Sequence, residues 1–188
     1  MRRVADLKGP GSKVAMALTE LFPTFDVENL QPELFLLGGQ LLAMGAADRT
    51  SAVGLFKNIQ IANPVGSGKI LTVTSAWVSV VGNDRIFWST RHGIFANLVV
   101  FNLSRDTRVI IPELPTGQIR DEDSAGTAFN NGIALLAANT PFHLTDPNGL
   151  AVLAPGGTFT VGNGTTNRRL VVTFYWKERV AEPSELNF

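Results

Sequence analysis

The sequence predicts an all-β fold, an antiparallel β-sandwich of jelly-roll type behind a mixed helical and irregular N-terminal arm. Three observations carry this. Beyond about residue 50, short apolar or alternating runs recur between clusters of Gly, Pro, Asn and Asp. The last run, residues 168–179, alternates cleanly: Leu170, Val172, Phe174 and Trp176 point one way, and Arg169, Val171, Thr173, Tyr175 and Lys177 the other. Almost no helical periodicity separates the runs, and parallel βαβ folds need helices or long linkers between their strands.

The elements follow in order. Ser12 is placed to cap a short helix over residues 13–21, with Val14, Leu18 and Leu21 on one face, and Pro23 ends it. Pro32 and Glu33 suit the first turn of a second helix whose stripe is Leu34, Leu37, Leu41 and Leu42, although Gly38-Gly39 interrupts it. Strands are expected at residues 53–62, 70–81, 85–89, 94–103, 107–111, 133–138, 142–144, 150–153, 158–161 and 168–179. Asn63-Pro64-Val65-Gly66-Ser67-Gly68 reads as a tight connection and Gly82-Asn83-Asp84 as a hairpin turn. Residues 112–132 hold two prolines, three glycines and four acidic side chains, and read as a long surface loop. The division is an arm over 1–50, a sandwich over 51–180 and a tail over 181–188. The strand aromatics, among them Trp77, Trp88, Phe159, Phe174 and Trp176, read most simply as core.

Composition narrows the function. Sixteen basic side chains balance sixteen acidic ones. A protein that grips nucleic acid or an anionic membrane usually carries a basic excess, so neither partner is expected. No cysteine is present, which excludes disulfide scaffolds, thiolate metal sites and cysteine nucleophiles. The N-terminal stretch is broken by Asp6, Lys8, Gly9 and Pro10, and residues 34–47 are short and Gly-rich, so neither a signal peptide nor a membrane span is expected.

His92 and His143 are far apart in sequence, without a histidine neighbour at ligand spacing, so His143 reads as a partly buried strand residue rather than a metal ligand. Asp121-Glu122-Asp123 beside Arg120 reads as solvated surface, or as a calcium or salt-bridge contact, rather than as a glycosidase pair. Gly66-Ser67-Gly68-Lys69 looks superficially like the end of a phosphate loop but lies between two strands. The expectation is therefore no catalysis, no metal and no cofactor. Phe22, Phe25 and Phe35 precede the strands with no sheet of their own to bury them, and Val171 and Tyr175 make the second face of the last strand only partly polar. These five are the candidate subunit-interface residues.

Two stretches carry a resemblance. Residues 58–81, with Asn63-Pro64-Val65-Gly66-Ser67-Gly68-Lys69 feeding a Val/Thr-rich strand, resemble a turn-and-strand unit of jelly-roll structural proteins of tailed bacteriophages. So does the C-terminal run, Leu153-Ala154-Pro155-Gly156-Gly157 before a strand and then Phe174-Tyr175-Trp176-Lys177-Glu178-Arg179. The resemblance implies a virion component made in the host cytoplasm, most often a capsid cement or decoration protein. It implies a homo-oligomer, a trimer above all, partnered by the major capsid protein or other virion proteins. Neck, tail or fibre components are the neighbouring alternatives. A carbohydrate-binding sandwich is a further one, in which Trp88, Tyr175 or Trp176 would stack on sugar rings.

Overall fold

Alternation of inward apolar and outward polar side chains, strand after strand, shapes this chain into two antiparallel sheets. The computed structural model describes residues 41–99, 102–104, 114–126 and 132–186. The strands are β1 (Leu41–Thr50), β2 (Phe56–Ala62), β3 (Lys69–Val80), β4 (Asp84–His92), β5 (Asn97–Val99), β6 (Asn102–Ser104), β7 (Gln118–Ser124), β8 (Gly132–Leu136), β9 (Phe142–Thr145), β10 (Ala151–Leu153), β11 (Gly157–Asn163) and β12 (Arg169–Val180). A 3-10 turn, Pro183–Glu185, follows, and the described residues contain no α-helix.

Sheet A runs β10-β3-β12-β1-β6, with β9 beside β10 along β3, and sheet B runs β5-β7-β2-β11-β4-β8. Leaving out β5–β7, the chain passes between the sheets as β1 in A, β2 in B, β3 in A, β4 and β8 in B, β9 and β10 in A, β11 in B and β12 in A. That alternation, with β12 between β1 and β3 and β11 between β2 and β4, is jelly-roll connectivity. The excursion between β4 and β8 adds β6 next to β1 and β7 and β5 next to β2, extending both sheets on one edge.

The core lies between the sheets. Leu170, Val172, Phe174 and Trp176 of β12 face Ile59 and Ile61 of β2 and Phe159 and Val161 of β11, all fully buried. Phe159 and Phe174 meet edge to face across the gap, ring centroids 6.2 Å apart. Such a pair contributes about 0.5–1.5 kcal/mol beyond its buried area. The turn between β2 and β3 is locked by Asn63, whose Nδ2 donates to the carbonyls of Lys69 and Leu153, both at 2.8 Å. Its Oδ1 accepts from Ser67 Oγ. Gly66 and Gly68 take φ of 75° and 63° there, a region that glycine enters freely. The turn reading of this motif holds.

Four expectations change. Residues 41–50 belong to the sandwich rather than to the arm: Leu41 and Leu42 lie in a strand paired along its whole length with β12. The small inward residues Ala43, Gly45 and Ala47 let β1 lie close under sheet B, while the Leu spacing imitates a helix. The supposed loop 112–132 contains β7, hydrogen-bonded to β2 on one side and β5 on the other. Within residues 94–103 there are two short strands in different sheets, β5 and the start of β6. Trp77 is not core: it points outward and is 43% exposed. The helix over 13–21 and the strand over 107–111 lie outside the described residues.

Candidate assembly interface

The outward face of sheet A is built by register. β12 contributes Val171, Thr173 and Tyr175, whose cross-strand partners on β1 are Asp48, Ala46 and Met44. On the other side they meet Ser79, Trp77 and Ser75 of β3. Leu42, Met44, Ala46, Val171 and Tyr175 are half-buried and Trp77 is exposed. The result is a mixed face with an apolar middle. It is rimmed by the ion pair of Asp48 and Arg169, in which Arg169 Nε donates at 2.6 Å. The hydrogen bond from Arg169 holds the Asp48 carboxyl below the ordinary carboxylate range against a small opposing effect of burial, and the charges of Arg169 and Arg49 add to it. At the C-terminal end of β12, Arg179 grips Glu185 of the 3-10 turn at 2.5 and 2.7 Å. That bond, with the backbone N–H of Glu182 also donating, holds the Glu185 carboxyl down at about 2.

Of the five candidate interface residues, the structure brings Val171 and Tyr175 together on this face, two register steps apart on one strand. Phe22, Phe25 and Phe35 lie outside the described residues. Two residues the sequence reading did not assign to the face, Met44 and Trp77, stand beside them. The Trp77 indole stacks on the His143 imidazole, ring centroids 4.3 Å apart and planes at 10°. His143 lies on β9 as expected, but it is exposed rather than partly buried, the partner of an exposed tryptophan. His92 lies on β4 of the other sheet, its backbone opposite Gly157. Among the described residues no group of three or more His, Asp or Glu side chains is placed to hold a metal ion. Trp176 is fully buried and donates its Nε1–H to Glu178, which removes it from any sugar-stacking surface, while Trp88 is partly buried against the core.

Charged groups also clamp the inserted strands to the body. Asp121 and Asp123 are not solvated loop residues. They lie on the core side of β7, where Lys57 Nζ stands 2.6 Å from Asp121 and 2.8 Å from Asp123. Arg49 Nε is 4.0 Å from the second oxygen of Asp121. Near the C-terminal end of β12, the buried Glu178 accepts from the backbone N–H groups of Thr116 and Gly117 and from the Trp176 indole. Lys69 Nζ lies 3.5 Å away. Gly117 is required there, since a Cβ would stand 2.9 Å from both Leu71 and Trp176. A separate open cleft of about 480 Å³ lies beside the β4–β8 edge, lined by Asn83, Asp84, Arg85, Leu135 and Thr165 among others. Asp84 is satisfied there on one oxygen by Thr165 and the Arg85 amide.

Comparison with protein-family models finds no match for this chain, and comparison with curated proteins finds none either.

Proposed function

We propose that this chain is a structural component of a tailed-bacteriophage virion, a capsid cement or decoration protein that stabilises the head through symmetric subunit contacts. The outward face of sheet A is the single observation that supports this reading best. Tyr175 lies beside Met44 there, Thr173 lies between Ala46 and Trp77, and Val171 follows on the same strand, which makes a partly apolar stretch of sheet face suited to contact with a neighbour. A protein that binds a shell works through many modest contacts repeated by symmetry, and repetition raises the total affinity without one strong site. A half-apolar sheet face rimmed by ion pairs suits that use. The three-fold order, and the major capsid protein as partner, come from the family resemblance alone.

The test is native mass spectrometry of the purified chain, followed by co-sedimentation with expanded capsids. A homotrimer that binds capsids to saturation is the expected result. A strict monomer that leaves capsids bare overturns the reading.

A further inference from the structure

We propose that Lys57 and Asp121 condense to an isopeptide bond, with Asp123 relaying the protons, so that β7 is covalently fastened to β2. Three observations carry this. The Lys57 side chain is only 5% exposed, and its amine is held 2.6 Å from the Asp121 carboxylate, itself 9% exposed. A second carboxylate oxygen, from Asp123, lies 2.8 Å from the same nitrogen. The other Asp123 oxygen is anchored by the Ala52 N–H at 3.1 Å, which fixes Asp123 in place. Amine, acyl carbon and proton carrier are thus assembled before any reaction. Well-oriented groups of this kind react with effective molarities of about 10⁵–10⁸ M, enough to drive a condensation that is poor between free molecules.

The step balances without a co-reactant. A proton passes from the Lys57 ammonium to the Asp121 carboxylate along their 2.6 Å contact, leaving a neutral amine and a neutral acid. The nitrogen lone pair attacks Asp121 Cγ. Arg49, near the second Asp121 oxygen, stabilises the negative charge that develops there. Asp123 takes the remaining excess proton from nitrogen and returns it to the departing hydroxyl, which leaves as water. One C–N bond forms, one C–O bond breaks, and nothing is oxidised or reduced. Charge favours the product as well. Lys57 and Arg49 balance Asp121 and Asp123 beforehand, and Arg49 balances Asp123 afterwards. One cation and one anion are removed from a buried setting where each is costly to desolvate.

The experiment is mass spectrometry on the full chain. The denatured protein is expected to weigh less than its sequence by one water. A succinimide at an aspartate sheds the same water, so the deciding readout is a proteolytic digest. It should contain a branched peptide in which fragmentation places the junction at Lys57 and Asp121. Lys57→Met should restore the full mass and abolish the branched peptide. Asp123→Asn retains both reacting groups and should slow linkage about a hundredfold, read as the linked fraction against time after refolding. A wild-type chain of full mass, with no branched peptide after prolonged incubation at neutral pH, overturns the proposal. So does linkage in Asp123→Asn at the wild-type rate. Neither result bears on whether the chain assembles, which the capsid experiment reads separately.

Discussion

At the scale of single residues, the side chains that matter most are buried charges placed where strands of the insertion touch the body. Glu178 illustrates the physics. Its position continues the inward series Leu170, Val172, Phe174 and Trp176, so β12 carries a carboxylate into a core slot. Three N–H donors and a nearby Lys69 ammonium make that tolerable. Removing the carboxylate leaves two backbone donors and an indole N–H without an acceptor in a dry site. Glu178→Ala is therefore expected to destabilise the fold by about 3 kcal/mol, read as a lower urea midpoint at unchanged slope. The exposed pair of Arg179 and Glu185 behaves differently. Glu185 falls from an ordinary carboxylate value to about 2 on folding, so its contribution is fully present above about 4.5 and fades as pH drops towards about 2. A carboxyl-carbon NMR titration should show Glu185 ionised down to that range in the wild type, and returned to the ordinary range in Arg179→Met.

At the scale of elements, legibility followed pattern strength. β12 is plain because four large apolar residues, Leu170, Val172, Phe174 and Trp176, sit at period two without interruption. β7 is not, because Gln118-Ile119-Arg120-Asp121-Glu122-Asp123-Ser124 has a single apolar inward residue, and its partners for the rest are charges 64 positions away in the chain. A cross-strand ion pair leaves no hydrophobic period to read. Trp77 was misassigned for another reason. Leu71 and Val73 point inward on β3, and strict alternation would carry Ser75 and Trp77 inward too. A β-bulge intervenes opposite Tyr175 and Trp176, inserting one extra residue, so that Ala76, Val78 and Val80 take the core and Trp77 faces out. Thr74 marks the irregularity with a hydrogen bond from Oγ1 to the Tyr175 carbonyl at 3.1 Å. Nothing in the local sequence announces a bulge. The interface reading shared this limit: Val171 and Tyr175 were legible on their own strand, whereas Met44 and Trp77 needed the register of β1 and β3. Amide hydrogen exchange separates a strand from a loop over residues 118–124. The β7 amides that pair with β2 and β5 should exchange at least about a hundredfold more slowly than the amides of an exposed loop.

At the scale of the whole molecule, the jelly roll separates its two sheet faces by task. The inward faces hold the fold, and the outward face of sheet A is the one the proposed assembly would use. Val171 is the residue that separates these tasks experimentally. It is half-buried on the outer face, between Asp48 of β1 and Ser79 of β3, so a charge placed there reaches water in the free chain. Val171→Asp should therefore shift the unfolding midpoint of the monomer by less than about 1 kcal/mol, as surface changes generally do. In an assembly the same change buries a carboxylate against a neighbour at each copy of the contact. A loss of about 1.4 kcal/mol per contact weakens that contact tenfold, and in a ring or shell the losses compound across the symmetry-related copies. Mass photometry of Val171→Asp should then show dissociated protomers at concentrations where the wild type is fully assembled, with the far-ultraviolet circular dichroism of the two indistinguishable. Intact oligomers of the variant at the lowest measurable concentration would place the contact elsewhere on the molecule.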